Sequence, residues 1–253
     1  MRKILVIGIG AGDPDFMTVQ AINALNRVDV FFIPDKGEEK AALRHLRNSI
    51  CDRFIRERSY RTVEAPIPAR RAAGDDYRGA VHDWHEEISH LYERFIMEEL
   101  DDGQCGGALV WGDPAIYDST LRILDRLQRK GRAFDVEIIP GISAVQVLAA
   151  RHRIALNTVG RPVLITTGRK LTADFSGDAD SVIVMLDGEQ AFKRVRAEGV
   201  DIYWGAYLGT PDEILVAGKL SEVGGEIERI RSEAREKHGW IMDTYLLRKT
   251  DGD

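Results

Sequence analysis

The sequence predicts an α/β protein of two domains, with a parallel, doubly wound sheet in the N-terminal domain and a mixed sheet in the C-terminal domain. Short apolar runs alternate with helical patterns over the first 140 residues, and three of these runs stop at turns rich in Gly, Pro or Asp. This alternation is typical of a parallel sheet with helices on both faces. A different spacing follows Pro140, so we divide the chain into domains 1–141 and 142–253 and expect the active site in the cleft between them.

In the N-terminal half, strands are predicted from short apolar runs and helices from apolar residues that repeat every three or four positions. Thr18 is suited to cap the first helix, because its hydroxyl can accept a hydrogen bond from a free backbone N–H. Pro34 is predicted to end the second strand, because proline cannot donate to a ladder. The predicted strands are 4–9, 28–33, 63–67, 106–111 and 134–139, and the predicted helices are 18–25, 41–55, 76–100 and 119–129.

In the C-terminal half the alternation continues with shorter and less regular elements, which favours a mixed sheet. No linker is rich in Pro and Ser, so we expect the two halves to pack firmly against each other. The predicted strands are 163–166, 182–186, 201–207 and 240–247, and the predicted helices are 142–150, 191–198 and 225–238.

Composition indicates an ordinary globular chain, with 44% hydrophobic and 30% charged residues among 253. No apolar run approaches the roughly 20 residues of a membrane helix, and Met1–Lys3 runs straight into a strand pattern rather than a signal peptide. We therefore expect a cytoplasmic protein without membrane contact. Cys51 and Cys105 are too few for a disulfide framework or a cysteine-rich metal site. The net charge of −6 argues against a nucleic-acid partner.

Charge is unevenly distributed along the chain. Between Lys40 and Arg78 stand ten Lys or Arg and five Asp or Glu, although the whole chain is acidic. One interpretation is a solvated helix face with surface arginines. The other is a basic wall that faces a polyanionic small molecule, since the planar fork of arginine binds carboxylates in pairs of hydrogen bonds. The sequence leaves both open.

The first turn, Gly8-Ile9-Gly10-Ala11-Gly12-Asp13, invites a dinucleotide interpretation that the residues do not support. The fingerprint needs a third glycine where Asp13 stands, and a carboxylate there would repel a pyrophosphate. No acidic residue closes the second strand at the usual distance, and a phosphate-binding Walker loop is absent. S-adenosylmethionine fits better, because it carries a positive sulfonium and no phosphate, and glycine lets the backbone approach it closely.

Three motifs together carry a family resemblance. GIGAGDPD with a following Thr18, then WGDPAIYDS at 111–119 and IIPGISAVQVLAA at 138–150 stand in the order and spacing of the tetrapyrrole (corrin/porphyrin) methylases, which the chain resembles over nearly its whole length. The first turn of that family usually reads G-x-G-P-G-D, and here Ala11 replaces the proline.

The resemblance implies that S-adenosylmethionine binds in the cleft between the two domains of a homodimeric enzyme without a metal. Free N–H groups at the start of the helix after Gly141 would suit the methionine carboxylate, and Met185 and Leu208 could sandwich the adenine, although Met185 could equally be an ordinary core residue. The donor contacts carried over are Ala11, Trp111, Gly112, Asp113, Ile116, Ser143, Ala144, Met185, Leu186, Leu208 and Gly209.

Further stretches favour, within the family, a methyltransferase that acts on C1 of precorrin-5 and releases acetate; they are 33–37, 84–85, 117–120, 152–157, 166–169 and 203–207. Deacetylation needs a base for water and a donor for the oxyanion. By position the candidates are Asp35, Lys36 and Tyr117.

The candidates for contacts with substrate carboxylates are Arg44, Arg70 and Arg71. His82 and His85, spaced i, i+3 on a helix, lack a third metal ligand and are interpreted as surface or core histidines. The alternatives left open are a methylase for another precorrin position or for uroporphyrinogen, and a relative that binds without turnover.

Overall fold

The protein is described here by a computed structural model that covers residues 1–35, 41–56, 59–67, 77–173 and 179–250. Side chains at 35, 41–45, 77–83 and 85 also lie outside this description. The chain divides into two compact units, Met1–Ser143 and Ala144–Asp253. Each unit contains one five-stranded sheet, so the predicted pair of α/β domains is confirmed. Within the described residues, no helix combines the length and apolar character needed to cross a bilayer.

The sheet of the first unit is parallel throughout, in the strand order β3-β2-β4-β1-β5. A parallel sheet needs a crossover after each strand, and the helices supply it. The elements are β1 (Lys3–Gly8), α1 (Val19–Leu25), β2 (Val30–Asp35), α2 (Ala41–Phe54), β3 (Arg61–Pro66), α3 (Tyr77–Glu98), β4 (Cys105–Val110), α4 (Thr120–Arg129) and β5 (Asp135–Ile139).

Alternation along β1 places two apolar cores on opposite faces of this sheet. Ile4 and Val6 are fully buried with residues of α3 and α4, whereas Leu5 and Ile7 are buried with residues of α1 and α2. Successive side chains of a strand point to opposite faces, which explains why β1 is apolar at every position from Ile4 to Ile7. The predicted doubly wound arrangement is therefore confirmed.

Two local expectations in the first unit have different outcomes. Thr18 caps α1 as predicted, because its Oγ1 accepts a hydrogen bond from the Ala21 N–H at 3.0 Å. The expectation that Pro34 ends the second strand was wrong, since β2 continues to Asp35 and Pro34 pairs with Ala65 of β3. Pairing of β2 with β4 has already stopped at Phe32, so Pro34 is paired on one side only, a position where proline is tolerated.

The second unit has a mixed sheet in the order β6-β7-β10-β8-β9, as predicted. The β6–β7 pair is parallel, whereas β10 runs antiparallel to both β7 and β8, and β8 antiparallel to β9. The elements are α5 (Ala144–His152), β6 (Val163–Thr167), β7 (Ser181–Met185), β8 (Val200–Ala206), β9 (Ile214–Lys219), α6 (Leu220–His238) and β10 (Asp243–Lys249).

Three elements of this unit differ from the sequence-based expectation. The helix predicted at 191–198 is only a 3-10 turn, Ala191–Arg194, because the Arg196 N–H donates to the Ala173 carbonyl of another segment instead of continuing the helix. The strand β9, for which the pattern gave no assignment, pairs with β8. The helix α6 then starts at Leu220, earlier than the predicted Gly225.

A buried ion pair joins three elements of the second unit. The Arg231 Nε of α6 donates to Asp243 Oδ2 of β10 at 2.9 Å, and each side chain is only 5% exposed. The Trp204 Nε1 of β8 donates to the same oxygen at 3.0 Å. Burial raises the pKa of Asp243, which Arg231 and Trp204 oppose by bonding the ionised form. Removal of one partner would leave an uncompensated buried charge.

We predict that Asp243→Ala lowers the free energy of unfolding by about 3–5 kcal/mol, because Arg231 loses its counter-charge inside the unit. The matched control is Glu233→Ala, which breaks the exposed i, i+4 pair with Arg229 and should cost no more than about 0.5 kcal/mol. Urea unfolding followed by circular dichroism measures both. Equal stability of the two variants would show that the buried pair contributes no more to the free energy of unfolding than the exposed pair does.

Candidate functional site

Three glycine-rich corners lie side by side at one edge of the first sheet. In chain order, the first corner follows β1, the second follows β4 and the third follows β5. These strands are neighbours in the sheet, in the order β4-β1-β5. Because the strands are parallel, all three corners leave the carboxyl edge, where α/β sheets bind ligands. The first two corners are joined directly, because the Gly112 N–H donates to the Gly10 carbonyl at 2.8 Å. Gly10 and Gly112 form an isolated β-bridge.

The third corner is packed against the other two by backbone contact. A Cβ atom on Gly141 would lie 2.1 Å from the Gly112 carbonyl oxygen and 2.8 Å from the Gly8 Cα. A Cβ atom on Gly8 would in turn lie 2.6 Å from the Gly141 nitrogen. Any side chain at these positions would separate the corners, which is the physical reason for glycine here. The corners near residues 10, 112 and 141 therefore converge within one unit.

Asp113 connects two of these corners with its carboxylate. Its Oδ2 accepts a hydrogen bond from the Gly141 N–H at 2.9 Å, and its Oδ1 accepts one from the Ala115 N–H at 2.8 Å. Both oxygens therefore bond backbone donors of the corners themselves. In the structure, Asp113 therefore positions these turns. If its removal weakened ligand binding, the cause would be a displaced Gly141 rather than a lost direct contact.

The other predicted donor contacts of the first unit line this region to different depths. Ala11 and Ser143 are buried, and Trp111 and Ile116 are half-buried. The catalytic candidate Tyr117, on the same loop as Ile116, is 41% exposed. The helix α5 starts at Ala144, directly after the third corner and two residues later than predicted. Partial burial raises the pKa of the Tyr117 phenol.

In the second unit, the other predicted donor contacts occupy two loops at one edge of the sheet. The strands β7 and β8 end at Met185 and Ala206, which pair with the neighbouring residues Thr244 and Asp243 at the start of β10. Leu186 follows β7 and is 61% exposed, whereas Leu208 after β8 is buried. The Gly209 N–H donates to Glu213 Oε2 at 2.7 Å.

Asp187 holds the loop after β7. Its Oδ2 accepts hydrogen bonds from the Ala191 N–H and the Tyr245 hydroxyl, both at 2.6 Å, and its backbone carbonyl accepts one from Arg231. A Cβ atom on Gly168 would lie 2.2 Å from Asp187 Oδ1, so this glycine makes room for the carboxylate. With Asp187 anchored inside, the preceding Leu186 is directed outward.

Strained backbone marks three of these loops, a feature that sequence reasoning missed. Tyr117, Leu186 and Tyr207 have φ angles of 52°, 52° and 50°, in the left-handed region that residues other than glycine seldom adopt. Each costs on the order of 1 kcal/mol, and such strain concentrates at functional sites. No propensity signal identifies it, because all three are ordinary side chains in the sequence.

Several predicted residues lie outside the described part of the structure. Lys36, Arg70 and Arg71 are not described at all, and for Asp35 and Arg44 only the backbone is, within β2 and α2. Their roles therefore stay predictions. The same holds for the side chains of His82 and His85. Among the described residues, His, Cys, Asp and Glu form no group of three that could hold a metal ion.

Comparison with known proteins agrees with this geometry. A family model described as Tetrapyrrole (Corrin/Porphyrin) Methylases matches residues 3–224, well over half of the chain. A curated Sinorhizobium sp protein named precorrin-6A synthase [deacetylating] is 54% identical over 250 residues, which cover 98% of this chain and 96% of that protein. The cobalt-precorrin-4 C(11)-methyltransferase of Priestia megaterium is 23% identical over 96% of this chain and 90% of its own.

A solved structure supports the same relationship. The cobalamin synthesis related protein CobF of Corynebacterium diphtheriae superposes with a TM-score of 0.84 at 40% identity, and the match covers 99% of this chain and 100% of that one.

We predict that Gly141→Ala lowers the free energy of unfolding by at least about 2 kcal/mol, because its methyl group would press on the Gly112 carbonyl and separate the corners. Gly225→Ala in α6 is the control, since a Cβ atom there meets nothing within 4 Å and alanine favours a helix. Urea midpoints measure both variants. A Gly141→Ala protein as stable as the control would contradict the close contact.

Proposed function

The chain belongs to the tetrapyrrole (corrin/porphyrin) methylases, and we propose that it methylates C1 of precorrin-5 with S-adenosylmethionine and releases the acetyl group there as acetate. The product would be precorrin-6A, in the aerobic synthesis of cobalamin. The observation that carries this proposal is the 54% identity, over nearly the full length of both chains, to a protein named precorrin-6A synthase [deacetylating]. Relatives named for other precorrin positions or for uroporphyrinogen are far less similar.

The residues of the first corner fit a nucleoside without phosphates. Asp13 accepts a hydrogen bond from the Asp15 N–H at 2.8 Å and caps the turn Pro14–Phe16, so its carboxylate stands fixed where a dinucleotide fold needs a glycine. A Cβ atom on Gly112 would be in ordinary van der Waals contact with Ser143, 3.6 Å from its Cα, so glycine leaves room there that a larger side chain would fill. When bound, S-adenosylmethionine would supply an electrophilic methyl group.

We propose that donor contacts come from the corners of the first unit and from the two loops of the second. Backbone groups beside Ala11, Gly112 and Ser143 would hold the methionine part, and the apolar Met185 and Leu208 would contact adenine. The remaining proposed contacts are Trp111, Asp113, Ile116, Ala144, Leu186 and Gly209. We further propose that the enzyme is a cytoplasmic homodimer, as the family resemblance implies.

The reaction requires two steps at C1, deacetylation and then methyl transfer. Water adds to the acetyl carbonyl, the bond between C1 and the acetyl carbon breaks, and acetate leaves with its proton passed to a base. The electron pair left at C1 is delocalised into the macrocycle and then displaces the methyl group from sulfur. The methyl transfer depends on alignment of the reactants and exclusion of water more than on acid–base catalysis.

Catalytic side chains of this protein would therefore act mainly in the deacetylation step. We propose Asp35 as the base that takes a proton from water, and Lys36 and Tyr117 as donors to the oxyanion on the acetyl carbonyl. The raised pKa of Tyr117 keeps its phenol protonated at neutral pH, which suits a hydrogen-bond donor. Arg44, Arg70 and Arg71 are proposed to meet substrate carboxylates.

We predict that incubation with precorrin-5 and methyl-labelled donor places one label on each ring and releases one acetate per label. Mass spectrometry of the product and an enzymatic acetate assay measure the two. Methylation without acetate would move the assignment to another ring position. Absence of both would contradict the proposed function.

We predict that Gly112→Val weakens binding of S-adenosylhomocysteine at least tenfold in calorimetry, because its side chain would fill the donor space. Gly131→Val is the matched control: Gly131 has a similar left-handed φ, 83° against 71°, and its Cβ position is open. Both variants carry the same backbone strain. Equal donor affinity in the two would remove Gly112 from the donor site.

We predict that Lys36→Ala and Tyr117→Phe each slow acetate release at least tenfold, since a lost oxyanion donor weakens stabilisation of the transition state. Affinity for S-adenosylhomocysteine should stay within about twofold, because neither residue is assigned to the donor. The control is Tyr60→Phe, a tyrosine whose ring packs edge-on against Phe31 in the first unit. Unchanged turnover in a variant would remove that residue from the mechanism.

A further inference from the structure

The first sheet splits between β2 and β4 at its carboxyl edge. The pairing of these strands stops at Phe32 and Ala108. The Val110 carbonyl faces β1, because it accepts a hydrogen bond from the Ile9 N–H at 2.9 Å. Carbonyls of successive strand residues alternate in direction, so the Leu109 carbonyl faces β2. A side chain takes the missing ladder position, since the Arg47 Nε of α2 donates to Leu109 O at 3.3 Å.

Arg47 is a buried cation whose guanidinium contacts no carboxylate among the described residues. It is 7% exposed, and within the described part of the chain no carboxylate lies within 4.0 Å and no acceptor other than Leu109 O bonds its guanidinium. Burial lowers the pKa of Arg47, and the charge of Asp118 opposes this. Asp118 Oδ1 itself accepts from the Thr120 N–H. Burial of a charge that no opposite charge contacts is destabilising, so its presence calls for an explanation.

The surroundings of Arg47 are polar and belong to the same edge as the glycine corners. The Tyr92 ring of α3 is buried with its hydroxyl 3.4 Å from Thr120 Oγ1 at the start of α4, and both Tyr92 and Asp118 interact electrostatically with Arg47. Asp118 follows the second corner by a few residues. Of the two interpretations of the basic stretch between Lys40 and Arg78, a solvated surface is wrong for Arg47, because this side chain is buried.

We propose that the guanidinium of Arg47 binds a carboxylate of the reactants, and that this carboxylate belongs to the tetrapyrrole. The inference rests on the proposed function, in which the substrate carries acetate and propionate groups. The donor also has a carboxylate, so the same chemistry has two sources. The sheet order favours the tetrapyrrole: Arg47 lies on the β2 side of β4, whereas the glycine corners proposed for the donor extend from β4 to β1 and β5.

This role makes sense of the split in the sheet. A guanidinium can donate from Nε to the Leu109 carbonyl and still offer its two terminal nitrogens to a carboxylate, a geometry that lysine does not provide. In the part of the chain that the structure describes, no carboxylate contacts the buried guanidinium, and a bound substrate carboxylate would supply that contact. Arg47 would thereby favour acidic macrocycles over neutral ones.

The test is Arg47→Gln, because glutamine keeps an N–H donor for Leu109 O and removes the charge. We expect the melting temperature of the ligand-free protein to stay equal or rise, the KM for precorrin-5 to increase at least tenfold, and the affinity for S-adenosylhomocysteine to stay within twofold. Arg47→Lys should show an intermediate KM. Arg53→Gln, at the exposed end of the same helix, is the matched control and should leave both ligands unaffected.

Three outcomes would overturn the inference. A lower melting temperature with unchanged KM would make Arg47 a structural residue. A loss confined to S-adenosylhomocysteine would assign the carboxylate to the donor. If the wild type transfers no methyl group to precorrin-5, the proposed function fails separately from the inference about Arg47. Quenching of the fluorescence of uroporphyrin III, an octacarboxylate, then tests Arg47 directly. Equal binding by wild type and Arg47→Gln, or no binding by either, would overturn the inference.

Discussion

The backbone contact among Gly8, Gly112 and Gly141 is the constraint on which the candidate site depends. Three parallel strands end side by side, and their turns can meet only where no side chain intervenes. The carboxylate of Asp113 then holds the second and third turns together by accepting from Gly141 N–H and Ala115 N–H. Because the contact is made by main chain, a single methyl group on Gly8 or Gly141 would disturb all three turns and any ligand they hold.

In the second unit, buried polar side chains rather than glycine contacts hold the loops of the candidate site in place. Its loops after β7 and β8 include the strained residues Leu186 and Tyr207, and strain persists only where the surroundings determine the backbone strongly. Asp187 and the buried Arg231–Asp243 pair provide that support through bonds to side chains and main chain. Buried polar groups that are fully bonded make a structure specific as well as stable, and here they direct an apolar side chain outward beside the sheet edge.

Charge has separate structural and functional uses in this chain. Arg231 is buried with a bonded carboxylate, whereas Arg47 is buried with one carbonyl and, among the described residues, no carboxylate. The first arrangement stabilises the unit, and the second is explained by a ligand that brings the missing charge. An acidic protein that acts on an acidic macrocycle needs such local cations, since its overall charge of −6 would repel the substrate.

The alternation of strands and helices, the Thr18 cap, the two domains and the three glycine corners could be predicted from the sequence, because these signals act within a few residues and repeat along the chain. The folded structure was needed to establish that β2 continues through Pro34, that the chain leaves the helix predicted at 191–198, and that β9 pairs with β8. It also decided that Asp113 bonds Gly141 and that Arg47 is buried rather than solvated. Each of these depends on a partner far away in sequence, and neither composition nor periodicity records which distant carbonyl, strand or charge a residue will meet on folding.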